Sequence, residues 1–225
     1  MDKPEFPMRI NKYLASHGYS TRRGADELIK AKQILVNGRI AKIGEKIGEK
    51  DVVEVLKPKK QTAYVYFAYN KPTGETTDTP RGFGKDVFPL GRLDKDSHGL
   101  ILLTNDGRVT DRLLNPVYDH EKEYVVTVMK KLRPNFKQRM EAGIDIEGYM
   151  TKKCKIKIIN DFTFKITLTE GKKHQIRRMI SALFNQVRNL ERVKILNIEL
   201  GSLNPRSHRA IKGEELNTFL KSLGL

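Results

Sequence analysis

The first part of the chain has apolar residues at helical spacing. In INKYLASHG, Ile10, Tyr13 and Leu14 recur at i, i+3 and i+4, which places them on one face of a helix. The stretch STRRGADELIKA repeats this spacing, and Ser20 or Thr21 can cap its start. The pattern therefore predicts two short amphipathic helices in succession.

Short apolar runs separated by a turn signal follow these helices. In ILVNGRIAKIG, Asn37-Gly38 stands between two such runs, which is a strong signal for a β-hairpin, and DVVEVL adds a strand. The tandem IGEKIGEK at 43–50 is interpreted as a loop. Together these segments predict a small α/β domain over residues 1–60, with KPKKQT at 57–62 as a linker.

From residue 61 to residue 225 the pattern becomes rich in β-strands. Strands are predicted at 64–70, 99–104, 122–129, 153–159, 162–169 and 193–200, and helices near 106–114, 134–142, 173–184 and 213–223. Strands joined through hairpins and covered by helices are typical of an α+β domain. We therefore expect a larger second domain with a mostly antiparallel mixed sheet flanked by helices.

The helix predicted in EGKKHQIRRMISALF is amphipathic. Its apolar stripe consists of Ile176, Met179, Ile180 and Leu183. Arg178 lies opposite this stripe, whereas Arg177 lies on its shoulder, where a partly buried guanidinium needs an anion beside it. His174, among four basic neighbours, is interpreted as a phosphate or surface contact rather than as a general acid or base.

The stretch GRLDKDSHGLILL places a carboxylate among cations. Asp94 lies between Arg92 and Lys95, and the apolar run that follows anchors this segment in a core. Asp94 is then either a solvated surface charge or a carboxylate that acts on a ligand. A metal site is not predicted, since Lys95 beside Asp94 and Asp96 opposes a divalent cation.

The net charge changes what the chain is expected to bind. Its 225 residues include 43 Lys and Arg but only 27 Asp and Glu, which gives a net charge of +16. Residues 1–60 contain 14 basic and 8 acidic residues, so the excess extends along the whole chain. A charge of this size favours a polyanionic partner.

Six cations of the first domain lie off its apolar stripes. They are Arg9, Lys12, Arg22, Arg23, Lys30 and Arg39. With the two helices side by side, these residues can form one cationic face for RNA backbone, although ordinary solvated helix charge is an equal alternative. In KEYVVTV and VRNLERVKI, Tyr124 and Leu190 are first interpreted as core residues.

The cysteine count and the hydropathy of the chain argue against disulfide-bonded, cysteine–zinc and membrane-spanning proteins. Cys154 is the only cysteine, so the chain has no internal disulfide and no cysteine-based zinc site. No apolar segment of 18 residues is present, and the start MDKPEFPMRI lacks the core of a signal peptide. A soluble cytoplasmic protein without membrane contact is expected.

Several stretches resemble motifs of one enzyme family. Residues 8–47 resemble an S4 RNA-binding domain, and NKPTG, GRLDKDSHGLILLTNDG, EKEYVVTV and EGKKHQIRRM resemble, in order, the motifs of bacterial ribosomal pseudouridine synthases of the RsuA type. RRGADELI, DHEKEY and TKKCKIK further resemble the branch called synthase F, which modifies large-subunit ribosomal RNA. The resemblance covers nearly the whole chain.

The resemblance implies isomerisation of uridine to pseudouridine without metal or organic cofactor. By this similarity Asp94 is the essential carboxylate, which either attacks the sugar or removes a sugar proton. Tyr124 stacks on the target base, Arg177 pairs with Asp94, and Leu190 packs against the base or the site floor. Arg92 fills the gap that the flipped uridine leaves.

The implied partner is ribosomal RNA, most of all 23S rRNA or a precursor particle. Alternatives are the same chemistry on 16S rRNA or on tRNA, and a non-catalytic RNA-binding or ribosome-assembly protein. A monomer is expected, since no self-complementary apolar patch stands out.

Overall fold

A computed structural model describes residues 6–56, 63–78, 80, 82–84 and 86–225. The predicted linker at 57–62, and with it the predicted boundary between residues 60 and 61, lies outside the described residues.

The N-terminal part is a small α/β unit. Its elements are β1 (Met8–Arg9), α1 (Ile10–Ser16), α2 (Arg22–Lys30), β2 (Ile34–Val36), β3 (Arg39–Ile40), β4 (Lys46–Ile47) and β5 (Val53–Val55). Strands β3, β2 and β5 form an antiparallel sheet, and β1 pairs with β4. The Thr21 hydroxyl accepts a hydrogen bond from the Gly24 amide at 3.1 Å, as expected of a helix cap.

Two turns of this unit test the sequence predictions. Asn37 and Gly38 have φ of +51° and +78°, the backbone that a two-residue hairpin turn requires, so the predicted hairpin is confirmed. The interpretation of 43–50 as a loop is only partly correct. Lys46–Ile47 forms strand β4 and Ile47 is fully buried, whereas Ile43, the matching residue of the duplication, is exposed.

The larger part of the chain is built on one nine-stranded sheet. Its strands are β6 (Tyr66–Lys71), β7 (Phe88–Leu90), β8 (His98–Thr104), β9 (Lys122–Val128), β10 (Lys155–Asn160), β11 (Thr163–Leu168), β12 (Val187–Ile195), β13 (Ile198–Glu199) and β14 (His208–Ala210). Its helices are α3 (Arg108–Leu114), α4 (Phe136–Ala142), α5 (Gln175–Ala182) and α6 (Gly213–Ser222), with a 3₁₀ turn at Pro116–Tyr118.

The strand order is β10-β11-β9-β12-β8-β6-β14, with β7 beside β8 and β13 beside β12. Strands β8 and β12 run parallel and the other pairs are antiparallel, so the predicted mostly antiparallel α+β architecture is confirmed. The short strands β7 and β14 were not predicted. The helix expected at 134–142 begins two residues later, at Phe136.

Strand β8 is the centre of the domain because it is buried on both faces. Leu100 and Leu102 join a core with the Phe219 side chain of α6, whereas Ile101 and Leu103 face a second core on the other side. Because successive residues of β8 are buried in cores on opposite faces, the register of the strand is strongly determined. The segment that directly precedes β8 therefore has a defined position.

The parallel contact between β8 and β12 depends on one glycine. Gly99 has φ of +103°, and a Cβ built there would lie 2.4 Å from the Arg192 carbonyl oxygen. No side chain fits at this distance, so glycine allows β12 to approach the start of β8.

The core between α5, α4 and the sheet should dominate stability. Phe164 of β11 is fully buried, with its ring centroid 4.8 Å from that of Phe136. We expect Phe164→Ala to lower the free energy of unfolding by about 3–5 kcal/mol, because it leaves a cavity that the sheet cannot close. Urea denaturation followed by circular dichroism measures this loss.

Phe162, two residues earlier, is the matched control. Its side chain is exposed, so Phe162→Ala should change the free energy of unfolding by no more than about 0.5 kcal/mol. Equal losses for the two variants would contradict this assignment of the core.

Candidate active site

The segment 92–97, which precedes β8, is held by hydrogen bonds from a preceding loop. The Thr77 hydroxyl donates to the Leu93 carbonyl at 2.7 Å and accepts from the Leu93 amide at 2.9 Å. The Gly74 amide donates to the Lys95 carbonyl at 2.8 Å. These bonds hold the main chain on both sides of residue 94, so its side chain has a defined position.

A buried lysine supports the same segment from below. Lys71 ends strand β6 and is 2% exposed, and its ammonium donates to the carbonyls of Ser97 at 2.7 Å and Pro72 at 2.9 Å. Burial lowers the pKa of Lys71, and the nearby carboxylates, Asp94 and Asp96 among them, partly oppose this shift. Lys71 thus places a cation beneath the carboxylates of the segment.

Asp94 is directed to the surface of this site. Its side chain is 36% exposed, and its Oδ1 lies 3.4 Å from Nε2 of His174, which is 49% exposed. His174 precedes α5 and has a left-handed backbone with φ of +52°. The carboxylate is therefore fixed beside an imidazole and remains accessible to a ligand. The surface contact predicted for His174 is in fact a contact with Asp94.

Arg177 does not form the expected ion pair. Its guanidinium donates to the Asp96 carbonyl at 2.9 Å and to the Ser97 hydroxyl at 3.2 Å. Within the described ranges, the only basic side chain within 4.0 Å of the Asp94 carboxylate is the imidazole of His174. The expectation of an Arg177–Asp94 pair is therefore corrected. From the first turn of α5, Arg177 reaches the turn that follows Asp94 and binds its main chain.

Arg178 is also held in place. Its guanidinium donates to the Ile146 carbonyl and to the Glu147 carboxylate, both at 2.7 Å, and its side chain is partly buried. The stripe on α5 is as predicted, with Ile176, Met179, Ile180 and Leu183 in one core. The face opposite the stripe is partly covered by the segment around residue 147.

Tyr124 is half-buried and lies between two cores. It packs against the core of α5, and also against the second core of β8, which contains Leu93. In the described part of the chain its hydroxyl has no hydrogen-bond partner. Leu190 lies opposite Val126 on the neighbouring strand and is buried in the α5 core, in agreement with its interpretation as a core residue. Its role at the floor of the site stays a prediction.

The sequence reasoning missed Arg192, a buried cation of β12. It is 2% exposed and pairs across the sheet with Gly99 on one side and Tyr124 on the other. Its Nε donates to the Leu100 carbonyl at 2.7 Å and its Nη1 to the Arg92 carbonyl at 3.4 Å. Arg192 thus holds the main chain of Arg92, whose side chain is exposed.

A partly buried cation, Lys122, lies near Arg192. Burial, and then the charge of Arg192, lower the pKa of Lys122 to about 8. Lys71 and Arg192 donate to the carbonyls of Ser97 and Arg92, so two buried cations lie against the segment 92–97. Lys71, Lys122 and Arg192 lie within the quoted stretches NKPTG, EKEYVVTV and VRNLERVKI, but none was singled out, because strand periodicity does not distinguish a buried cation from an exposed one.

Three of the six predicted cations of the N-terminal unit lie together. Arg9, Lys12 and Arg22 line an open depression of about 350 Å³, and Lys46 joins them. Arg39 is instead neutralised by Glu45. Arg23 and Lys30 are exposed on α2 but do not line the depression. Arg9, Lys12 and Arg22 thus share one depression with a lysine of the tandem repeat, and RNA binding by the six cations stays a prediction.

The chain thus combines a nine-stranded mixed sheet, an aspartate held before its central strand and a cationic N-terminal α/β unit. A sequence profile described as RNA pseudouridylate synthase matches residues 51–182, and an S4 domain profile matches residues 8–53. The chain belongs to the RNA pseudouridylate synthase family, of the RsuA type, and is a pseudouridine synthase.

Individual relatives agree with this assignment. The chain is 40% identical to the dual-specificity RNA pseudouridine synthase RluF of Escherichia coli K12, covering 97% of this chain and 80% of that one. It is 33% identical to the ribosomal small subunit pseudouridine synthase A of Pasteurella multocida, covering 95% and 100%. A crystal structure of a pseudouridylate synthase superposes with a TM-score of 0.71 at 29% identity, covering 96% and 99%.

None of the helices in the described ranges is long and apolar enough to span a bilayer.

Proposed function

We propose that this protein isomerises uridine to pseudouridine in ribosomal RNA, with Asp94 as the essential carboxylate and residues 1–60 as an RNA-binding domain. The observation that carries the proposal is the placement of Asp94. Its main chain is fixed by hydrogen bonds on both sides, and its carboxylate remains accessible beside His174. Preorganisation of one reactive group on a rigid segment is what a catalytic site requires.

The substrate uridine must leave its stack before its glycosidic bond can be reached. Extrusion costs about a few kcal/mol. The exposed Arg92, two residues from Asp94, can enter the gap and contact phosphates, which offsets part of this cost. Tyr124, half-buried with a free hydroxyl within the described structure, can stack on the flipped base above the floor that Leu190 forms.

Asp94 must remain ionised beside a polyanion. Phosphates repel a carboxylate, and exclusion of water by the bound RNA disfavours its charged form. Lys71 beneath the segment, Arg177 on its turn and the imidazole of His174 are placed to oppose both effects. Whether Asp94 attacks the sugar or removes a sugar proton, the reaction uses the same ionised oxygen.

Large-subunit rRNA is the proposed target, because RRGADELI, DHEKEY and TKKCKIK resemble the synthase F branch. The identity to the small-subunit synthase is also lower, at 33% against 40% for the dual-specificity enzyme. The enzyme then acts in the cytoplasm, as a monomer. Carbodiimide mapping of pseudouridine in a deletion strain tests this. One 23S position should lose the modification and regain it on complementation, whereas an unchanged 23S map would contradict the target.

Transfer RNA is the second candidate substrate, since the relative at 40% identity is named a dual-specificity enzyme. The same deletion strain answers this question if its tRNA is mapped in parallel.

A non-catalytic assembly role is disfavoured by the buried Lys71 and Arg192. Buried cations are costly to desolvate, and here both support the segment that carries Asp94.

The cations of the S4 unit should supply RNA affinity. We expect the triple variant Arg9→Gln, Lys12→Gln, Arg22→Gln to bind ribosomal RNA more weakly and to reduce the slope of log K against log salt by about 2–3. Filter binding at several salt concentrations measures this slope.

Arg39→Gln is the control for the triple variant, because Glu45 already neutralises the Arg39 charge. Its salt slope should change by less than about 0.5. If the triple variant kept the wild-type slope, the depression would not be an RNA contact.

A further inference from the structure

Phe184, shortly after the end of α5, is an aromatic residue with an unfavourable backbone conformation. Phe184 has φ of +61° and is 70% exposed. Glycine or asparagine normally occupies a left-handed position after a helix, because a Cβ is disfavoured there. Because the ring is mostly exposed, its burial also contributes little to the stability of the fold. A strained backbone and an exposed ring at one residue point to an external ligand.

The main chain around Phe184 is rigid. The Asn185 side chain accepts from the Lys130 amide at 3.0 Å and donates to the Lys130 carbonyl at 2.8 Å. The Met129 amide donates to the Gln186 carbonyl at 2.9 Å. These bonds join the segment after α5 to the end of β9, so the ring of Phe184 projects from a fixed base.

Cations surround this ring. The ring borders a shallow depression that is also lined by the cations Lys130, Lys131, Arg133 and Arg139. Lys131 pairs with Asp161 at 2.8 Å. In the part of the chain that the structure describes, Lys130, Arg133 and Arg139 have no carboxylate within 4.0 Å. The Arg133 guanidinium carbon lies 5.8 Å from the ring centroid of Phe184.

We propose that Phe184, with Lys130, Arg133 and Arg139, is a second RNA contact that binds an unpaired nucleotide of the substrate. A base can stack on the exposed ring while its phosphates meet the three cations, which is how single-stranded nucleic acid is bound without base identity. The proposal rests on RNA being the substrate. An acidic protein is a poorer partner, since it leaves the exposed aromatic face unused.

The position of this contact suits RNA that enters the active site. His174, which lies beside Asp94, directly precedes α5, and Phe184 lies just after the end of that helix. The eight residues of α5 span about 12 Å. One strand can therefore bind Phe184 and present a uridine a few nucleotides away to Asp94.

Tryptophan fluorescence tests the contact directly, because the chain contains no tryptophan. Phe184→Trp introduces a single indole at the patch, and we expect a 12-nucleotide oligouridylate to quench its emission through stacking. Val117→Trp is the matched control, since Val117 is 66% exposed on the 3₁₀ turn. Its emission should change much less at the same RNA concentration.

Removal of the Phe184 ring distinguishes a loss of RNA binding from a loss of stability. Phe184→Gly should unfold at the same or a higher temperature, because glycine suits the left-handed backbone, but should bind the oligouridylate about tenfold more weakly. Arg139→Gln should reduce the salt slope by about one. Wild-type pseudouridine formation is assayed separately, so failure of the catalytic proposal is distinguishable from failure of this one.

Two outcomes would overturn the contact. Unchanged RNA affinity in Phe184→Gly, together with unquenched Phe184→Trp, would exclude stacking at this residue. Equal quenching of Phe184→Trp by polyglutamate would assign the patch to an acidic protein partner instead.

Discussion

Replacement of Asp94 by asparagine should remove pseudouridine formation, with a fall in kcat of at least about 10³-fold. Asparagine keeps the shape of the side chain but has no ionised oxygen with which to attack the sugar or accept a proton. The main-chain bonds from Thr77 and Gly74 do not involve the carboxylate, so the segment should keep its position. Single-turnover assays on transcribed 23S rRNA measure the loss.

Binding and folding should survive this change. The dissociation constant for RNA should stay within about tenfold of wild type, and the melting temperature should be unaltered, because Asp94 is partly exposed and its neighbour His174 is too. Asp96→Asn is the matched control, since the exposed Asp96 contributes its carbonyl, not its carboxylate, to Arg177. An active Asp94→Asn enzyme would falsify the assignment of Asp94.

Replacement of Arg177 by lysine should lower kcat about 100-fold while KM changes little. The Nη2 atom of Arg177 donates to both the Asp96 carbonyl and the Ser97 hydroxyl. A lysine side chain is about one bond shorter, so its ammonium does not reach both acceptors. The charge would remain, so RNA attraction would persist while the turn after Asp94 loosened. Steady-state kinetics that resolve kcat from KM are the measurement that separates positioning from binding.

Two further variants serve as comparisons for the loss of kcat in Arg177→Lys. Ser97→Ala removes one of the two contacts and should lower kcat less, by under about tenfold. Arg178→Lys should leave kcat near the wild-type value, because Arg178 binds the Ile146 carbonyl and Glu147, away from Asp94. If Arg177→Lys and Arg178→Lys lost activity equally, the specific role of Arg177 would be excluded.

Local patterns determined much of the fold. The stripe on α5, the Asn37-Gly38 hairpin and the apolar run of β8 were all predictable from residues close in the chain. Each depends on helical or strand periodicity, or on a backbone preference of one or two residues, and these properties do not require a partner. The short strands β7 and β14 were missed, because three residues carry too little periodicity.

The resemblance of motifs pointed to Asp94, Tyr124 and Arg177, and periodicity placed Arg177 on the shoulder of its helix. The roles of these residues remain proposals. The partner of Arg177 could not be predicted, since Asp94, Asp96 and Ser97 offer several acceptors within four residues and only the turn geometry selects among them.

By itself, the sequence determined the two-part α/β and α+β architecture, the cationic character of the chain and the segment that holds the candidate carboxylate. Only the tertiary structure decided that His174 lies beside Asp94, that Lys71 and Arg192 are buried beneath it, and that Phe184 projects among cations. The physical reason is that periodicity fixes which face a residue occupies on its own element. Contacts between residues 80 positions apart, such as Asp94 and His174, depend instead on strand order and on how loops close.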